Sequence, residues 1–178
     1  TLLANAADDD FRSAIEELYQ RSHVAPVDDA YGYNRYSGVV PHNTVPDLMV
    51  AAEVTAGDPT GDFVIEMASK GRRYACQFDF DTDSVRIREA GSPTVLRNGP
   101  LPASLKTGTA LVEMSLFDDQ VLVGVDGETV LEPWRIEREP PLDPPDAPSS
   151  PAHHPVRFGV RGANLRVGAI QLFRDVYY

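Results

Sequence analysis

The sequence predicts an all-β protein, an antiparallel β-sandwich with one short N-terminal helix. Three observations carry this. From Asp47 onward, apolar residues recur at every second position through most stretches, the repeat of strands that bury one face. Fifteen prolines and thirteen glycines interrupt those stretches with turn signals. Residues 110–132, ALVEMSLFDDQVLVGVDGETVLE, read as three short strands joined by tight turns at Asp118-Asp119 and Asp126-Gly127. A type I′ hairpin needs positive φ at both central residues, and Asp-Gly adopts it at little cost.

The elements follow in order. Residues 1–46 form an N-terminal arm that packs on the sandwich. Within it Phe11, Ala14, Ile15, Leu18 and Tyr19 fall at helical spacing behind Asp8, Asp9 and Asp10, which predicts an amphipathic helix over about 10–21 with an aspartate N-cap. An acidic first turn is explained by the helix dipole and needs no bound cation. Ser22 to Pro46 reads as irregular and carries the aromatic group Tyr31, Tyr33 and Tyr36.

The β-sandwich domain spans 47–178. Leu48, Val50, Ala52 and Val54 form its first inward face, DPTG at 58–61 turns the chain, and Phe63, Ile65 and Met67 continue inward. Beyond a turn at Lys70-Gly71, Tyr74, Cys76, Phe78 and Phe80 alternate. A two-residue loop at Thr82-Asp83 would set Phe80 against Val85, Phe78 against Ile87 and Asp79 against Arg86. Thr94 to Leu96 adds a short strand before a loop at Asn98 to Lys106. In the meander, Leu116 should face Val121, Met114 Val123, and Val112 Val125, with Val123 then opposite Val130. Leu122 and Leu131 fall on the other face and require a cover, for which the N-terminal helix is the candidate. Trp134 and Ile136 extend the third strand. Eight prolines between Pro133 and Pro155 forbid ladder pairing, so 139–155 is a long Pro-rich loop. Val156, Phe158 and Val160 resume the alternation. Leu165 and Val167 follow the turn at Gly162, and a bulge at Ala169-Ile170 would return Ile170 and Leu172 to the inner face.

Charge and chemistry narrow the function. With 16 Lys+Arg against 27 Asp+Glu, the formal charge of −11 repels phosphate backbones and anionic membrane surfaces. The single cysteine, Cys76, sits in an alternating strand as a small core hydrophobe. No apolar run approaches the length of a membrane helix, and a chain that begins at Thr1 without Met suits a piece of a longer protein. His23, His42, His153 and His154 lack zinc spacing. Asp79, Asp81 and Asp83 imitate the start of an EF-hand loop, but Ser84 stands where Gly is required and Ala90 where the closing Glu belongs. Lys106-Thr107-Gly108 matches a penicillin-recognising element without its Ser-x-x-Lys partner. Glu53, Glu66 and Glu113 each stand alone on their strands, which leaves no carboxylate pair for glycoside hydrolysis. No catalytic residue, metal site or cofactor is expected; a structural calcium ion would suit such a fold, with no residue pattern behind it.

The V-D-G turn of the meander and the closing FGVRGANLRVGAIQLFRDVYY resemble the concanavalin A-like domains of lectins and laminin G-type modules, a likeness that implies an antiparallel jelly-roll β-sandwich. More narrowly, DDAYGYN, VPDLMVAAEV and RGANLRVGAIQLFRDVYY resemble the large extracytoplasmic insertion of planctomycete-type signal peptidase I. That likeness implies a non-catalytic accessory or recognition domain of a membrane-anchored signal peptidase I-like protein. It would lie on the extracytoplasmic face, tethered through parts outside this chain, with a preprotein peptide or the rest of the parent polypeptide as partner. The family's Ser nucleophile and Lys base have no counterpart here. The alternative is a carbohydrate-binding lectin-like module using Tyr31, Tyr33, Tyr36 and Trp134 as stacking surfaces. A third reading, a sandwich glycoside hydrolase, requires paired carboxylates in a groove.

Overall fold

The computed structural model describes residues 9, 13, 17, 27–30, 42–45, 47–58, 60–69, 71–137 and 154–174. Asp9, Ser13 and Glu17 are helical and exposed, at the i, i+4 spacing of a solvent-facing stripe. The remainder of the predicted helix, and with it the cover it was expected to supply, falls outside the described residues, as do Tyr31, Tyr33 and Tyr36 and most of the Pro-rich loop.

Two strands pair inside the stretch expected to be irregular: β1 (Asp28–Ala30) and β2 (His42–Thr44) are antiparallel. Their DDA and HNT sequences lack apolar alternation, so tertiary placement rather than local pattern sets them. The arm meets the sandwich where the Val45 N–H donates to the Val27 carbonyl (3.2 Å) and both valines join the core.

The sandwich has two antiparallel sheets. The five-stranded one runs β12 (Val156–Arg161), β4 (Asp62–Ser69), β5 (Arg72–Asp79), β6 (Ser84–Glu89), β7 (Val95–Pro100). The six-stranded one runs β10 (Glu128–Thr129), β9 (Gln120–Val125), β8 (Thr109–Phe117), β3 (Leu48–Asp58), β13 (Asn164–Arg174), with β11 (Trp134–Arg135) also on β9. Alternate residues from the facing sheets close a single core: Val50, Val54 and Met114 from one, Phe63, Ile65 and Phe78 from the other, each at most 1% exposed. Burying such a side chain is worth about 1.5–3 kcal/mol, and Phe63 stacks on Phe78 and Phe158 at 5.8 and 6.2 Å. Cys76 is wholly buried there, and desolvation pushes its thiol far above the ordinary range.

The meander has the predicted register: Leu116 pairs with Val121, Met114 with Val123 and Val112 with Val125. Asp118, Asp119, Asp126 and Gly127 all have positive φ, the signature of two type I′ turns. Val130 donates to the Val123 carbonyl as expected. The third strand then stops at Thr129, and Leu131 turns into the main core instead of joining Leu122 on the outer face. It packs so close to Gly99 that a Cβ there would lie 2.7 Å from Leu131 Cδ2.

Three further expectations are corrected. The loop between β5 and β6 has four residues, so Phe78 faces Val85 and Cys76 faces Ile87. The Asp79 carboxylate explains the extra length, because it accepts the Asp81 and Thr82 N–H groups (3.1 and 2.9 Å) and organises the turn around itself. The span 98–106 is not a loop throughout: β7 runs to Pro100 and a one-turn helix, Ser104–Thr107, buries Leu105. The bulge in β13 is present, with Ala169 at φ 45° and a register shift between Gly168 and Gln171. Yet Ile170 and Leu172 are 55% and 45% exposed, because β13 is an edge strand that diverges from the core beyond the bulge.

One corner locks the sheets together. The chain passes from the six-stranded to the five-stranded sheet at Gly61 and back at Gly162. Thr60 Oγ1 donates to the Gly162 carbonyl (3.1 Å), and Asp81 Oδ1 accepts the Gly61 N–H (3.0 Å). Gly61 has φ +72°, and a Cβ there would sit 2.1 Å from the Arg161 carbonyl oxygen, so only glycine fits.

Candidate functional site

Strand alternation sends every second residue of the five-stranded sheet outward, and the register lines these residues up in rows. One row reads Arg157, Glu66, Ala75, Arg88; the next Gly159, Val64, Gln77, Arg86; the third Arg161, Asp62, Asp79, Ser84. The middle is low, because Gly159 has no side chain and Ala75 only a methyl. A groove of about 690 Å³ opens there, with Ser92 and Pro93 of the β6–β7 turn along one side.

The groove's polar groups are unusually enclosed. Among the described residues the buried polar or charged side chains are Asp47, Asp62, Gln77 and Asp79; Asp62 and Gln77 line the groove, and Asp79 stands beside Asp62 at its end. Such groups persist in a fold only with partners. Gln77 Nε2 donates to Asp62 Oδ1 (2.6 Å), and Arg161 pairs with Asp62 Oδ2. Arg86 bridges Asp79 and Thr82. Burial opposes the charge on Asp79, but the hydrogen bonds from Thr82, the Arg86 guanidinium and the Asp81 N–H together outweigh it and hold the carboxyl below its usual range. Arg73 Nη1 and Arg86 Nε on this face are buried with no hydrogen-bond partner, as is Arg97 Nε at the far edge of the sandwich. Burial and the nearby Arg157 lower the Arg73 pKa, while Glu66 opposes them.

Glu66 does not stand alone on its strand as the sequence reading had it, since β4 begins one residue earlier than the inward Phe63 suggests and carries Asp62 on the same face. Four residues along a strand span about 13 Å, beyond the roughly 5–9.5 Å of a glycosidase pair. Asp62 and Asp79 are direct neighbours across β4 and β5. Their oxygens, however, serve Gln77, Arg161, Arg86 and two backbone amides. A carboxyl held ionised, as Asp79 is, cannot act as the general acid such chemistry needs. The arrangement is suited to hydrogen-bonded recognition of a polar ligand.

Trp134 lies elsewhere. It lines a second hollow of about 570 Å³ with Asp118, Asp119 and Glu137, and the Arg97 guanidinium covers one face of its ring at 4.7 Å. This contact bridges β7 and β11 at the opposite edge of the sandwich from Gly61. Among the described residues no group of three or more His, Cys, Asp and Glu side chains is placed to hold a metal ion.

The sequence carries one signal for the groove: arginines fall on the outward phase of VRIR (85–88) and VRFGVR (156–161), opposite the apolar faces of those strands.

No protein-family model matches the chain, and no curated protein sequence matches it. The likeness to the signal peptidase insertion is therefore not supported by either comparison. Among solved structures, the carbohydrate-binding module CBM66 from Bacillus subtilis superposes with a TM-score of 0.50 at 12% identity, over 85% of this chain and 93% of that one. The Caenorhabditis elegans galectin LEC-6 gives 0.49 at 12% identity, over 84% and 91%. The chain thus has the jelly-roll β-sandwich architecture of a carbohydrate-binding module, a statement about fold alone.

Proposed function

We propose that this chain is a non-catalytic carbohydrate-binding module and that the groove on the outer face of its five-stranded sheet is the sugar site. The observation that carries this reading is the cluster of Asp62, Gln77 and Asp79, buried on a face that sheet packing leaves to solvent. Asp79 shapes its turn and Asp62 holds Gln77, but neither bond requires the low, open floor beside them. Planar amide, carboxylate and guanidinium groups around a low floor match the alternating donors and acceptors of sugar hydroxyls. The likeness to a bacterial carbohydrate-binding module is consistent with that chemistry. Affinity electrophoresis against a panel of soluble polysaccharides tests it. Retardation by at least one glycan, lost in Arg88→Ala at unchanged melting temperature, is the expected result. Loss in Trp134→Ala with Arg88→Ala unaffected would move the site to the second hollow, and no retardation by any glycan would end the reading. An accessory role within a signal peptidase-like protein has only the terminal sequence likeness behind it, and no feature of the groove favours it.

A further inference from the structure

Resting on the carbohydrate reading, we infer that the ligand is an anionic glycan whose sugar carboxylates are bound by Arg88 and Arg157 across the groove. The charges on this face do not balance. Five arginines stand outward on β5, β6 and β12 against three carboxylates on β4 and β5, a local excess of positive charge on a chain whose formal charge is −11. Asp62 is taken by Arg161 and Asp79 by Arg86. Glu66 lies beside Arg157 in the register and acts on Arg73 as well. The Arg88 side chain makes no hydrogen bond or ion pair among the described residues, although it is half-buried at the groove wall.

The geometry leaves room for a ligand between the arginines. Arg88 and Arg157 end the same row, three strand spacings apart, which is about 14 Å. Between them lie Ala75, 3% exposed, and Glu66, with Gly159 and Val64 alongside. A guanidinium binds a carboxylate through two parallel N–H···O bonds, so a ligand acid answers the free Arg88. Long-range repulsion from the chain's overall negative charge fades beyond about 8 Å at physiological salt, so the local arginines decide the close encounter.

The test is calorimetric titration of the intact chain with polygalacturonate, its fully methyl-esterified form, dextran sulfate and poly-glutamate. Wild type should bind polygalacturonate at least tenfold more tightly than the ester, and weaken as salt rises. Arg88→Ala should lose about tenfold for polygalacturonate with its melting temperature unchanged, and Arg88→Lys should lose less. Equal affinity for acid and ester would overturn the anionic inference while leaving the carbohydrate reading intact. Dextran sulfate or poly-glutamate binding in place of polygalacturonate would overturn it too. Failure to bind these glycans and every neutral one would remove the carbohydrate reading itself.

Discussion

Glu66 and Glu113 occupy matching places in their sheets. Each is the outward polar residue of an alternating strand, and each has a small neighbour across the ladder, Ala75 for one and Gly124 for the other. Their surroundings have nothing else in common. Around Glu66 the face carries arginines, buried carboxylates and a buried amide in a groove of about 690 Å³. Around Glu113 it carries Met49, Ser115 and Leu122 about a hollow of 160 Å³, with Leu111 and Phe117 exposed at 38% and 39%. The two sheets contribute alike to the core, so packing cannot be what separates their outer faces. On the one face enclosed polar side chains hold one another and a turn in place around a low floor, the setting of the site proposed above. Where scattered apolar residues meet water, ordinary surface composition suffices.

The largest expected effect erases the contrast altogether. Phe78→Ala removes a fully buried ring at the junction of the sheets and should cost about 3–5 kcal/mol in urea denaturation. Intrinsic tryptophan fluorescence, reporting Trp134 at the far edge, and circular dichroism should shift together; two separated transitions would show that the faces belong to independent units. A smaller change separates the faces. Asp62→Ala strands the Gln77 amide and should destabilise by about 1–3 kcal/mol, whereas Glu113→Ala should stay within about 0.5 kcal/mol. Equal costs would mean that the groove's polar cluster is no more enclosed than the opposite surface.

The mildest perturbation is pH. The Asp79 carboxyl is depressed in the folded state, so its contribution to stability is fully present above the unfolded value of about 3.9 and fades as pH falls through the folded one. Urea midpoints for wild type should therefore fall more steeply than those of Asp79→Asn once the pH drops below about 4. Parallel curves would show that the carboxylate's bonds to Thr82, Asp81 and Arg86 add nothing to the folded state.

Much of the scaffold was legible in the residues. Asp126-Gly127 and Asp118-Asp119 determine the meander register because few residues accept positive φ. The β5–β6 hairpin was misjudged because its loop length depends on what the Asp79 side chain bonds, which spacing does not reveal. Leu131 was misplaced because alternation says nothing about where a strand stops. The groove was harder still. Its members come from β4, β5, β6 and β12, separated by up to 99 residues between Asp62 and Arg161, and they meet only through the register. Alternating arginines hinted at a common face, but only the strand order shows which strands share it.

That separation also bears on how the molecule reaches its final form. Thr60 and Gly162, 102 residues apart, meet at the corner where β3 leads into β4 and β12 into β13. Contacts so distant along the chain slow folding, because a long loop must close before they contribute. Until residues 156–174 emerge during synthesis, β3 and β4 each present an unpaired edge, the form of a sheet most open to joining a neighbouring chain. The two closing strands, one for each sheet, are thus a kinetic safeguard as much as a structural one, and their late arrival sets the interval in which the nascent protein is vulnerable to aggregation.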